Sequence, residues 1–299
     1  MGKIYSTEEA ESPSTPASGK VVLYFKQDGF WYYKNDSGTE FKLIPGSGSF
    51  IPPRHIHGLT YSNSAGDPTN DIDIAIGSAK DSTNVFDLIL TTAITKRLDA
   101  AWAVGTNQGG LDTGSIANSD YYIHLIGRSD TGVIDVLFSL SATAPTMPAN
   151  YDYRRLIGWI KRVGAAIVLF TTYETEGGGI ELLWTTPTLD INLINTLTTA
   201  KRTDPVKVPL NFSVIAILNI GISDVGACVA YIYCPDQADI APSTTAAPMY
   251  TITAPAAVDG GSNLHIRTST TGLIAARSTT ATIDKYNVST IGFTWARRN

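Results

Sequence analysis

Residues 58–162 decide the fold. They open as GLTYSNSAGDPTNDIDIAIGSAKDSTN (58–84), continue as LTTAITKRLDAAWAVGTNQGGLDTGSIANSD (90–120) and close as YYIHLIGRSDTGVIDVLFSLSATAPTMPANYDYRRLIGWIKR (121–162). Short β-branched and aromatic runs alternate with clusters of Gly, Asn, Asp and Ser, the punctuation of an all-β domain. Strands are expected at 58–61, 71–76, 85–91, 121–127, 133–139, 153–162 and 165–172. Turns are expected at 129–132 and 163–164. Gly109, Gly110 and Gly114 read as tight-loop residues needing positive φ. Trp102 and Trp159 read as apolar anchors. Lys96, Arg97 and Asp99 read as charges that satisfy one another at a strand end.

Towards the C-terminus a second series of strands is expected at 180–185, 212–222, 227–234, 248–253, 263–268, 272–277 and 290–296. A low-complexity loop at 238–248 interrupts it. No segment reads convincingly as a helix, although 98–103 and 190–199 have room for a turn or two. Towards the N-terminus, residues 1–18 are rich in Ser, Pro and Glu and form an extended attachment arm, because nothing in them can build a core. Residues 19–48 form a small β-meander. In it Val21, Leu23 and Phe25 alternate with Val22, Tyr24 and Lys26, and Asp28-Gly29 and Asp36-Ser37-Gly38 supply the turns. So short a unit is marginal alone, and packing against copies of itself or against the next domain would stabilise it. A Gly/Pro/Ser-rich linker covers 45–53. Residues 49–178 form the main β domain, and 179–299 a C-terminal β-rich half that is either a second unit or part of the same sandwich. The expected class is therefore all-β: arm, meander, then an antiparallel, jelly-roll-like β-sandwich.

Composition narrows the function. Of 299 residues, 43% are hydrophobic but only 16% are charged, against about 25% in typical globular chains. Ser, Thr, Asn and Gly must carry the polar surface, as in extracellular β proteins and virus particles. The net charge is −5 and no basic run stands out, so nucleic-acid binding has little electrostatic support. No apolar run approaches the roughly 20 residues of a membrane helix, and the N-terminus lacks a signal peptide's apolar core. Cys228 and Cys234 lie in CVAYIYC. Six residues of strand span roughly 20 Å, too far for a disulfide, so two buried thiols are expected, as suits assembly in a reducing cytoplasm.

The segments GLTYSNS with NDIDIAIGSAKDS, TKRLDAAWAVGTNQGGLDTGS and YYIHLIGRSDTGVIDVLFSLSATAPTMPANYDYRRLIG resemble virion appendage proteins of tailed bacteriophages and prophages. The meander GKVVLYFKQDGFWYYKNDSGTE resembles a short module near the start of such proteins. The endings LHIRTSTTGLIAARSTT and STIGFTWARRN resemble the family more weakly. The resemblance implies a structural virion component assembled in the bacterial cytoplasm, usually trimeric, with no catalytic motif and no cofactor. It implies a tail-fibre, tail-associated or head-attached protein, held to other virion proteins through residues 1–44 and contacting a host-surface glycan or protein. A capsid-attached decoration protein is the alternative within that class. An enzyme that degrades surface polysaccharide is the alternative outside it, but such spikes carry a long β-helical repeat that this chain lacks.

Few residues offer chemistry. His55 and His57 in PPRHIHG share a face if extended, and three copies around an axis would bring six imidazoles together on a metal ion. More simply, they sit in an exposed linker after two prolines. Asp67, Asn70, Asp71 and Asp73 have the oxygen density of a Ca²⁺ loop but lack its glycine and distal glutamate, and ordinary turn chemistry accounts for them. His124 and His265 read as strand residues, and Asp135 and Glu181 as undistinguished carboxylates. Trp31 and Tyr33 share one face of the meander, suited to subunit packing or to stacking on sugars.

Overall fold

The computed structural model describes residues 8–9, 12–43, 51–241, 243 and 250–297. Within them the regular secondary structure is almost entirely strand, in a sandwich-like arrangement of mostly antiparallel sheets. The one short 3-10 turn, Glu176–Gly178, sits in the hairpin between strands Phe170–Thr175 and Gly179–Leu197.

An eight-stranded sheet forms one layer. Its order across the sheet is Ala166–Ile167, Tyr153–Val163, Asp120–Gly127, Ile134–Ser139, Gln108–Leu111, Ile94–Ala101, Asp71–Ile74 and Tyr61–Asn63. A five-stranded sheet faces it, ordered Phe170–Thr175, Gly179–Leu197, Ile283–Trp295, Ile215–Ser223 and Gly260–Arg267. Trp159 is the anchor its sequence context suggests: fully buried, it meets Trp184 edge-on at 5.9 Å and Phe293 at 5.7 Å across the two layers. The Tyr61 hydroxyl donates to Trp159 O and accepts from Trp159 N, which satisfies its polar tip. Trp102 is the second anchor, with its indole N–H donating to Val136 O and its ring edge-on to Tyr151.

Two further sheets complete the body. Arg202–Pro205, Leu273–Ser278, Cys228–Tyr233 and Tyr250–Ala254 form a four-stranded sheet, and Ile56–Gly58, Gly77–Lys80 and Asp87–Leu90 a three-stranded one. One hydrophobic core runs from Ile56 through Trp159 and Trp184 to Trp295. The expected boundary at 178/179 falls at the tip of the hairpin between Phe170–Thr175 and Gly179–Leu197, and buried residues from both sides of it share that core. Cys228 and Cys234 are free and buried. The 19-residue strand Gly179–Leu197 takes up most of the stretch where a helical turn had room at 190–199, because its Ile180, Leu182, Trp184, Ile191 and Leu197 all find the core.

Glu8–Glu9, Gly77–Lys80, Ile94–Ala101, Gln108–Leu111 and Arg202–Pro205 were not foreseen as strands, and two of them pair unusually. Ile94–Ala101 and Gln108–Leu111 run parallel, Lys96 beside Gln108 and Arg97 beside Gly109. Parallel neighbours ordinarily need a crossover of about a dozen residues or more; here residues 102–107 suffice. Trp102 N donates to Leu111 O, Ala103 N to Gly109 O and Asn107 N to Thr95 O, so the loop folds tightly back over the strand it has just left. Gly109 and Gly110 lie in the second strand rather than in a loop, and neither has positive φ. They are needed for close approach: a Cβ on Gly109 would strike Ala101 O, and one on Gly110 the Phe138 ring. Gly114 does take positive φ, +78°.

The N-terminal sheet is Glu8–Glu9, Val22–Lys26, Trp31–Lys34 and Glu40–Leu43, the expected meander plus a short parallel strand from the arm. The rest of the described arm lies against its own meander. Lys34 Nζ donates to Pro13 O at 2.9 Å, Gly19 N to Asp36 Oδ2 at 2.7 Å, and Ser12 bonds the Tyr24 hydroxyl. Residue 44 and the first part of the linker, 45–50, lie outside the described residues.

Candidate functional site

The N-terminal sheet has two unlike faces. On one, Lys26 pairs with Glu40 at 2.6 Å, Tyr32 donates to Asp28 at 2.6 Å, and the arm covers Tyr24. Register places Leu23 beside Tyr33, Phe25 beside Trp31, Tyr33 beside Phe41 and Trp31 beside Leu43, which gathers all six on the opposite face. Val21 extends it. That face is apolar and open: Val21 is 64% exposed, Leu23 57%, Phe41 and Leu43 40% each. Its rings are already ordered, with Tyr33 stacked on Phe41 at 4.7 Å and Phe25 edge-on to Trp31 at 5.4 Å. Trp31 and Tyr33 do share a face as their spacing requires. What the spacing did not single out is that Leu23, Phe41 and Leu43 join them, a consequence of register rather than of any one segment.

His55 and His57 line an open groove of about 490 Å³ with Pro52, Pro53, Arg54 and Gly178. His57 belongs to strand Ile56–Gly58 and pairs with Ser78. The imidazoles take different partners. His55 Nε2 lies 3.1 Å from Ser78 Oγ, while His57 Nδ1 lies 3.1 Å from Glu174 Oε1, which also accepts Gly58 N. Burial, and then the neighbouring His57, push the His55 pKa down. A serine, a histidine and a carboxylate thus stand close, but the carboxylate orients the wrong histidine for a relay to Ser78. Among the described residues no three His, Cys, Asp or Glu side chains converge to hold a metal ion. Glu174 is 116 residues from Gly58, so no local motif could have revealed it.

The same end of the sandwich holds Arg297, fully buried and without a carboxylate partner among the described residues. Its guanidinium donates to Gly178 O, Leu59 O and Gly58 O at 2.7–3.0 Å, and its own carbonyl accepts from Arg155 Nη2. Burial lowers its pKa to about 10, so it stays charged.

The remaining candidates are structural. Asp67 accepts from Thr69 N and Asn70 Nδ2, an ordinary Asx turn. Asp73 accepts from Thr95 Oγ1, and Asp71, on the same face of strand Asp71–Ile74, has a buried, unpartnered Oδ1. His124 is buried, its Nε2 on Ser141 O, and His265 lies on an exposed strand position. Glu181 is half-buried between Tyr173 and Thr294. Asp135 is fully buried and paired with Lys96 at 3.2 Å. That corrects the expected charge cluster: Arg97 and Asp99 do pair, at 3.2 Å on the surface, but Lys96 points to the other face, as alternation along a strand requires.

No family model matches the chain, and no curated protein matches it. Among solved structures it is similar to a Cry1Da tryptic core variant of Bacillus thuringiensis, at 9% identity and a TM-score of 0.20 over 81% of this chain. It spans only 52% of that structure's length. It is also similar to a structure of infectious bursal disease virus, Gx strain, at 11% identity and a TM-score of 0.15, covering 83% of this chain and 74% of that one. No described helix is long and apolar enough to cross a membrane.

Proposed function

We propose that this chain is a structural component of a tailed-bacteriophage particle, an appendage assembled as a homotrimer through its N-terminal sheet and attached to other virion proteins by residues 1–44. The open apolar face of Val21, Leu23, Trp31, Phe41 and Leu43 carries the reading. Isolated exposed apolar residues need no explanation, but a contiguous set marks an association site. With aromatic side chains each offering roughly 150–250 Å² when buried, such a face supplies on the order of 500 Å² per copy, so a pair of copies reaches about the 1,000 Å² at which a biological interface begins. The sequence resemblance over 58–162 supports the particle type. The sandwich body, beyond the linker, is then free to meet a host-surface glycan or protein. A purely structural role fits the site chemistry: the buried carboxylate Asp135 is spent on Lys96, and the groove histidines do not form a relay.

The test is to locate the protein in purified particles of the phage that encodes it, by mass spectrometry and antibody labelling. A fixed number of copies, a multiple of three, at one position on the particle is expected. Its absence from particles, or release of reducing sugar from host capsule by the pure protein, would overturn the reading.

A further inference from the structure

At Tyr153 to Leu156 the strand Tyr153–Val163 has one sheet neighbour, Asp120–Gly127; its short partner Ala166–Ile167 meets only the far end. The loop after Lys80 touches the open edge, Ser82 N donating to Arg154 O. A cavity of about 270 Å³ lies there, with Ser82, His124, Arg154, Arg155 and Asn211 in its wall. Both arginines reach it although they are adjacent in sequence, since at a sheet edge side chains from either face can border one space.

The wall is cationic and under-partnered. Arg155 is 2% exposed. Its Nη2 donates to Arg297 O, and its Nε–H has no partner. Arg154 is half-buried, with Nη2 donating to Thr143 O at 2.7 Å. Neither makes an ion pair within the described residues. The Asp81 carboxylate, whose charge reaches Arg155, is instead occupied by Thr83 N, Val85 N and Phe86 N at 2.7 Å each. His124 adds a second unpartnered buried atom, Nδ1, whose ring takes up a second proton more readily when an anion sits beside it. Buried charges are normally paired, because removing them from water is costly. Here two guanidiniums and an imidazole face a cavity with no acidic side chain in its wall.

We infer that this edge cavity binds an oxyanion, a phosphate, sulfate or carboxylate group, between Arg154 and Arg155. Guanidinium groups bind such ions through charge-assisted, often bidentate hydrogen bonds. The inference is independent of the assembly role, since the site lies in the body and is complete in one copy.

The experiment is calorimetric titration of the full-length protein with inorganic phosphate, sulfate and glucuronate, each at constant ionic strength set with chloride. Saturable binding by at least one of the three is expected at millimolar Kd or tighter, and whichever binds tells a free inorganic ion from an acidic sugar. Arg154→Gln should weaken it about tenfold or more, the loss of one charge-assisted contact. Arg154 is only half-buried and donates to a single loop carbonyl, so this variant folds even where an Arg155 substitution does not. Absence of saturable binding with all three anions would overturn the site. So would binding that Arg154→Gln leaves unchanged.

Discussion

Lys96 Nζ and Asp135 Oδ1 lie 3.2 Å apart with both side chains closed to solvent, and the pair holds the tight parallel connection between two strands. The ammonium also donates to Ala103 O at 2.6 Å and Gly105 O at 3.2 Å, while Asp135 Oδ2 accepts Gly105 N at 2.7 Å. The loop 102–107 therefore wraps a charged pair that saturates its turned-in backbone groups. Removing one partner leaves the other charge buried and alone, which typically costs about 3–5 kcal/mol. Asp135→Ala should lose stability of that order in urea unfolding. Lys96→Met should do so too, and should free the loop, read as faster amide exchange at Gly105.

Arg297 makes a different prediction. Its guanidinium gathers carbonyls from residues 58, 59 and 178, and its backbone holds Arg155. Arg297→Met would orphan those buried acceptors at about 1–3 kcal/mol each before relaxation. A loss of at least ~3 kcal/mol is expected, seen as a fall in Tm of roughly 5–10 °C. Arg297→Lys should recover only part of it, because an ammonium cannot span three carbonyls in the guanidinium's plane.

His124 predicts an acid-sensitive step. Burial lowers its pKa to about 4 in the folded chain, below the roughly 6.5 of an unfolded one. Between those values the unfolded chain binds the extra proton, so stability rises with pH. The contribution is complete above about pH 6.5 and is lost as pH falls towards 4, by up to about 3 kcal/mol. Unfolding free energies of His124→Gln, measured from pH 4 to 7, should show a flatter slope than those of the unaltered chain.

Much of the fold was legible because its strands either alternate plainly, as in Asp71 to Ile74, or read as a short continuous apolar run buried on both faces, as in Tyr121 to Ile126. Where it was not legible, polar residues had broken the pattern. In ITKRLDAA the inward stripe is Ile94, Lys96 and Leu98, and a lysine in a core stripe disguises a strand that Leu, Ala and Arg already make helix-like. QGGL reads as a loop, yet its glycines are there for close approach to Ala101 and Phe138. The groove was half visible: HIH is a local pattern, but Ser78 and Glu174 come from other strands. The apolar face was visible only as Trp31 and Tyr33, since Leu23, Phe41 and Leu43 join them through strand register.

Sedimentation equilibrium of the full chain at micromolar concentration decides whether copies assemble through the N-terminal sheet. A trimer is expected, which Leu23→Asp with Phe41→Asp converts to a folded monomer, because two carboxylates on the shared face cannot be desolvated without partners. A monodisperse monomer for the unaltered chain, or a trimer indifferent to both substitutions, would contradict it.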